Sequence, residues 1–154
     1  FGILVIDRLT GDITDHWTQD GSLPDDDVLS LHLDYFGGLL VGSSVSNTGS
    51  TGNGGLARWD GNGWPLLETS IPGWNNDPYV FYDVSSDVNE IYAGTNRGAC
   101  MWNWTYDLQD CVSNQDGMPS RFAYSVAKIG TDRLYAGTYY GAEVINTPLY
   151  IIHI

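Results

Sequence analysis

The chain has 154 residues, 42% of them apolar and 13% aromatic, which suffices for the core of one ordinary domain. Nineteen acids against six bases give a formal net charge of −13, a field that repels phosphate backbones and argues against nucleic acid as a partner. No run approaches the roughly 18–20 apolar residues of a membrane span, and the 19 Gly, ten Tyr and six Trp, without helical apolar periodicity, point to an all-β chain.

In chain order, the first element is Gly2-Ile3-Leu4-Val5-Ile6-Asp7, a strand entered by Gly and left by Asp. The same scheme returns at Gly55 to Asp60, Gly98 to Asn103 and Gly141 to Asn146, at intervals of 53, 43 and 43 residues. The long interval holds a Gly/Ser-rich insertion, 43–53, whose removal restores the period. An outer strand is expected after each copy: His16 to Thr18, Trp64 to Glu68, Leu108 to Val112 and Leu149 to Ile154. Before the later copies comes an apolar–Pro step (Leu23-Pro24, Ile71-Pro72, Met118-Pro119) and then a strand-like run: Val28 to Leu33, Val80 to Val84, Ala123 to Ala127.

A further strand precedes each Gly link: Leu39 to Gly42, Ile91 to Gly94, Leu134 to Gly137. Tyr92-Ala93-Gly94-Thr95 is repeated as Tyr135-Ala136-Gly137-Thr138, with a link of four residues between apolar runs. That is a β-hairpin signature. Four strands per unit at a period of about 43 residues make the blade of a β-propeller. The chain divides into the outer strands of a partial blade (1–19) and three blades, at 20–68, 69–112 and 113–154. Rings usually close with four to eight blades, so these three and a half are expected to belong to a larger propeller. Phe1 and the apolar tail Leu149 to Ile154 look like cut edges.

The phrases Asp20-Gly21-Ser22-Leu23-Pro24, Gly54-Gly55-Leu56-Ala57-Arg58-Trp59-Asp60-Gly61 and Asp116-Gly117-Met118-Pro119, the last followed by Leu134 to Thr138, resemble two-component regulator propeller repeats. The resemblance covers nearly the whole chain. It implies a sensory module in an extracellular or periplasmic setting, one that in the family often precedes a membrane span and a histidine kinase. It supplies no catalytic residues, because its signature falls on turns and core positions. The insertion departs from the repeat, and Glu68-Thr69-Ser70 replaces the Asp-Gly step in the middle unit.

Propeller topology puts the middle-strand links and the blade-to-blade links on one face. Asp25, Asp26, Asp27, Trp74, Asn96, Arg97, Tyr139 and Tyr140 are the candidate ligand-binding residues there, with aromatic rings suited to stack a sugar or a peptide. The structural alternative packs those rings between neighbouring blades. Asp25 to Asp27 could offer calcium two or three of the six to eight oxygens it takes. No Asp-x-Asp-x-Asp-Gly loop with a distal Glu accompanies them, so solvated turn residues are the simpler reading and no cofactor or metal is expected.

Cys100 and Cys111 fall on adjacent strands around the turn Asn103 to Asp107 and so come nearly opposite each other. An oxidising compartment would pair them; the alternative is two free core thiols. Asn103-Trp104-Thr105 matches an N-glycosylation acceptor on the face away from the insertion. His16, His32 and His153 share no motif, and no nucleophile elbow, zinc-protease helix or phosphate loop is present. The expected function is therefore a non-catalytic module for ligand sensing or protein interaction. The alternatives are a piece of a propeller enzyme acting on polysaccharide and a structural surface module.

Overall fold

The structure, a computed structural model, describes residues 2–19, 23–44, 54–64, 66–68, 80–146 and 150–152. Trp74, the Ile71-Pro72 step, the ends of the C-terminal tail and all but the first two residues of the Gly/Ser insertion lie outside the described residues. Among the described residues the strands form four antiparallel sheets, each a meander of sequential neighbours. A two-stranded sheet pairs β1 (Ile3–Ile6) with β2 (Ile13–Trp17). The second contains β3 (Val28–Leu33), β4 (Leu39–Ser43), β5 (Gly55–Trp59) and β6 (Leu66–Glu68). The third contains β7 (Phe81–Ser86), β8 (Glu90–Thr95), β9 (Gly98–Asn103) and β10 (Leu108–Val112). The fourth contains β11 (Ala123–Ile129), β12 (Arg133–Thr138), β13 (Gly141–Asn146) and β14 (Tyr150–Ile152).

The hairpin links are tighter than the sequence pattern suggests. Thr95 pairs with Gly98 and Thr138 with Gly141, so only Asn96-Arg97 and Tyr139-Tyr140 remain unpaired at the tips. The threonine explains the tightening: in both copies its hydroxyl donates to the glycine carbonyl at 2.9 Å. It also accepts the second loop residue's N–H, at 3.0 Å from Arg97 and 3.2 Å from Tyr140. Ser43 does the same work across the insertion, donating to Gly55 O at 3.1 Å from the equivalent register position. At Gly98 the chain turns with φ +130°, and a Cβ there would sit 2.1 Å from Val112 O, so both conformation and space require glycine.

The cores lie between sheets. Ile3, Leu23, Val41, Ala57 and Trp64 fill the first junction, with Trp17 and Trp59 packed against them. Leu40, Leu56, Phe81, Val84, Ile91 and Trp102 fill the second. Tyr92, Met101, Met118, Val126, Leu134 and Ile145 fill the third. The second and third sheets are thus apolar on both faces because each is sandwiched by neighbours. The sheets approach closely where the second strand carries Gly: a Cβ on Gly42 would meet Phe81 O at 2.9 Å, and one on Gly94 would meet Ala123 O at 2.6 Å. Neither glycine has positive φ, so space rather than backbone strain is what they provide.

Side chains also link the leading strands. Ser86 N–H donates to His32 Nε2 at 3.1 Å, joining β3 to β7. Val126 N–H donates to Asp83 Oδ2 at 2.9 Å, joining β7 to β11. Each leading strand also has a bulge at the same register: Leu29, Tyr82 and Tyr124 are extra residues between the pairs formed by their neighbours. A bulge twists a strand and re-aims a side chain, and this repeated one sets up the site described next.

Candidate functional site

The bulge on β11 brings Tyr124 against Tyr82 of the neighbouring leading strand, centroid to centroid at 4.9 Å. Phe122, two residues earlier, lies 6.2 Å from Tyr124 with the rings 9° from parallel. Ser120 fixes the approach to β11 by accepting Phe122 N–H on its hydroxyl at 3.0 Å. Further back, Ser113 caps the short 3-10 turn Asn114–Asp116, and Gly117 closes it with φ +101°. Met118 is buried in the third core and pins the link to the body of the fold. Arg121, between Ser120 and Phe122, holds its guanidinium carbon 4.8 Å over the Phe122 ring.

Tyr139 and Tyr140 close the groove from the other side. They occupy the two-residue tip of the β12–β13 hairpin, 78% and 72% exposed, edge to face at 5.3 Å. Together with Asn114, Pro119, Ser120 and Arg121 from the link, and Phe122 and Tyr124, they line a cleft of about 360 Å³. Among the described residues no carboxylate lines it. Burial raises the Tyr82 phenol above its ordinary value; Tyr124 adds to the rise and the Arg121 charge opposes it. This arrangement can stack flat ligand faces and hydrogen-bond their edges through phenol, amide and hydroxyl groups. It offers no acid–base pair within its lining.

The remaining sequence candidates fall elsewhere. Asn96 and Arg97 sit at the hairpin tip equivalent to Tyr139-Tyr140, but they are packed in. Asn96 N–H donates to Val80 O at 3.1 Å, its side-chain oxygen accepts Val80 N–H at 3.3 Å, and Arg97 is 6% exposed. They hold the start of β7. Asp25 is buried, and its carboxylate accepts Asp27 N–H at 3.0 Å. Asp26 accepts Gln19 N–H at 2.6 Å, and the Asp26 and Asp27 carbonyls receive Gly2 N–H and Ser44 N–H, both at 2.9 Å. These acids knit the link ahead of β3 to β1 and β4. Among the described residues no three His, Cys, Asp or Glu side chains gather to hold a metal ion.

Cys100 and Cys111 are directly opposed on β9 and β10, with Cα atoms 4.1 Å apart, and are joined by a disulfide. Asn103 ends β9 at the opposite end of the strands from the groove. Its side-chain oxygen accepts Thr105 N–H at 3.0 Å and Asp107 N–H at 2.9 Å, while its amide nitrogen donates to Asp107 at 3.3 Å. The turn it caps includes Tyr106 at φ +66°.

Asn114, Pro119, Ser120, Arg121, Phe122 and Tyr124, with Tyr82 packed against Tyr124, are the site residues that sequence reasoning missed. A signal was available: Val28-Leu29-Ser30, Phe81-Tyr82-Asp83 and Ala123-Tyr124-Ser125 each place a large side chain between an apolar and a small or acidic polar residue. Simple alternation hides the bulge. Two other cations are neutralised by carboxylates. Arg58 pairs with Asp34 at 2.5 Å. Burial alone would raise the Asp34 carboxyl, but Arg58 and backbone N–H groups outweigh it and hold the carboxyl low. Lys128 meets Asp87 at 2.7 Å and Glu90 at 3.0 Å and also contacts the Tyr92 hydroxyl, tying β11 to the β7–β8 turn. Burial opposes the Lys128 charge, yet these acids hold its pKa above the ordinary lysine value.

A chain of small antiparallel sheets, each a sequential meander packed face to face on the next, is the architecture of part of a β-propeller. No family model matches the sequence, and no curated protein does. In fold it is similar to the extracellular domain assigned to the hybrid two component system BT3049 of B. thetaiotaomicron, with a TM-score of 0.72 and 17% identity over 99% of this chain and 19% of that one. It is also similar to PorZ, a surface component of the type-IX secretion system of Porphyromonas gingivalis, with a TM-score of 0.64 and 14% identity over 94% of this chain and 22% of that one. The chain spans about a fifth of the length of these two solved chains. At these identities the likeness is one of fold, and it agrees with the repeat resemblance in the sequence. Among the described residues no helix is long and apolar enough to cross a membrane.

Proposed function

We propose that this chain is a segment of an extracellular or periplasmic β-propeller of the two-component regulator type, and that it binds a carbohydrate or peptide ligand without transforming it. In this reading a partial blade at 1–19 is followed by blades at 20–68, 69–112 and 113–154, and further blades of a parent propeller are its structural partners. The observation that carries the reading is the open aromatic groove at Phe122, Tyr124, Tyr139 and Tyr140, placed where a blade-to-blade link meets a hairpin tip. Among the described residues its lining has no carboxylate, which favours binding over hydrolysis of a polysaccharide. The Cys100–Cys111 disulfide supports export to an oxidising compartment. The likeness to an extracellular domain of a two component system supports a sensory role.

The test is a thermal-shift screen of oligosaccharides and short peptides on the full chain. A ligand held at about 100 times its Kd stabilises the folded state by roughly 2.7 kcal/mol, which is a readable shift in Tm. The expected result is a shift that disappears in Tyr139→Ala and Tyr140→Ala while their unliganded Tm stays put, since both rings are solvent-exposed. A shift retained in both variants would move the site away from this groove.

A further inference from the structure

The charge inside the groove runs against the charge of the whole molecule. The molecule carries nineteen acids and a net charge of −13, yet among the described residues the only charged one lining the cleft is Arg121. Arg58 and Lys128 are held by carboxylates. Arg121 has no carboxylate partner among the described residues; its contact is the face of Phe122 at 4.8 Å. A guanidinium left without a counter-ion beside ring faces is a ready partner for an incoming carboxylate, which it can meet with two parallel N–H donors. A neutral ligand would leave that charge unused, and a cationic one would be repelled by it.

We infer that the groove selects an acidic sugar, a uronic acid unit within an oligosaccharide, with its ring laid on the aromatic faces and its carboxylate on Arg121. This rests on the binding reading above and adds the class of ligand. Two observations converge on it. The near-parallel rings of Phe122 and Tyr124, with Tyr139 and Tyr140 opposite, ask for a ligand with a flat C–H face. Arg121, adjoining Phe122 in sequence and in space, asks for a carboxylate one bond from that face. A uronic acid holds both in one rigid unit, so little conformational freedom is lost on binding. An acidic peptide carries its carboxylates on flexible side chains and has no flat face fixed beside them. The Asn114 amide, the Ser120 hydroxyl and the phenols are placed to meet ring hydroxyls.

The experiment is calorimetric titration of the full chain with trisaccharides of galacturonic and glucuronic acid, with their neutral galactose and glucose counterparts, and with a tri-glutamate peptide. At least one acidic sugar is expected to bind about tenfold or more tightly than its neutral counterpart, with affinity falling as salt is added. Arg121→Gln removes that preference and the salt dependence, bringing each acidic sugar to the affinity of its neutral counterpart; Tyr140→Ala weakens acidic and neutral sugars together. Arg121 is exposed, so an unaltered Tm verifies that the variant is folded. Equal binding of acidic and neutral sugars, or a preference that survives Arg121→Gln, overturns the acidic-sugar inference and leaves the groove as a binding site. Tighter binding of the peptide than of any sugar also overturns it. Failure of every probe, with Arg121→Gln and Tyr140→Ala indistinguishable from the parent in the wider thermal-shift screen, overturns the groove reading as well.

Discussion

The hairpins β8–β9 and β12–β13 share one design and have different surroundings. Both pair Thr with Gly at the base, both close that pair with a threonine hydroxyl at 2.9 Å, and both turn into the next strand through glycine near φ +130°. In the first, the tip is packed: Thr95 is fully buried, and Gly98 lies against the Val112 backbone. In the second, Tyr139 and Tyr140 stand in solvent, and among the described residues nothing lies within 4 Å of a Cβ on Gly141. The strand code fixes the hairpin, and the neighbouring chain decides whether its tip is buried or exposed.

The sharpest way to break that comparison is a matched alanine pair. Gly98→Ala combines a disfavoured φ with a Cβ 2.1 Å from a backbone oxygen, so it is expected to cost about 3 kcal/mol or more. Gly141→Ala keeps only the conformational penalty, about 1–2 kcal/mol. Urea unfolding of the two variants reads the difference, and equal losses would mean that the neighbour plays no part. Next in size is the disulfide beside the packed hairpin. Replacing Cys100 and Cys111 by Ala removes a short closed loop and should lower stability by roughly 2–3 kcal/mol. Hydrogen exchange should rise in β9 and β10 and stay level in β12 and β13. The smallest effect comes from the threonines. Thr95→Val strands a buried carbonyl and N–H, at a cost of about 1–2 kcal/mol, whereas Thr138→Val lets water take over and should stay under about 0.5 kcal/mol.

The repeat was legible in the sequence because its glycines mark fixed events: Gly42 and Gly94 sit where sheets approach, and Gly98 sits where the chain turns. The opposition of Cys100 and Cys111 was legible from the length of the turn between their strands. The groove was legible only through Tyr139 and Tyr140. Asn96-Arg97 occupies the same repeat position, so position alone could not separate an open tip from a packed one. Tyr82 and Tyr124 read as ordinary strand residues, since a one-residue bulge leaves no mark on an alternating pattern until both partner strands are in register. Asp25 to Asp27 were conspicuous as charge, yet Asp25 and Asp26 act as local partners for backbone N–H groups.

The hydroxyl-closed base of the hairpins has a consequence for how this scaffold can be altered. The same pair of strands is sealed over two residues at Thr95–Gly98 and over eleven at Ser43–Gly55, with the register intact in both. Lengthening a closed loop costs little, rising only with the logarithm of its length. These tips are therefore sockets that accept foreign sequence without disturbing the sheet beneath. A peptide tag, a reporter or a new recognition loop grafted between Thr138 and Gly141 would inherit a rigid, outward-facing mount.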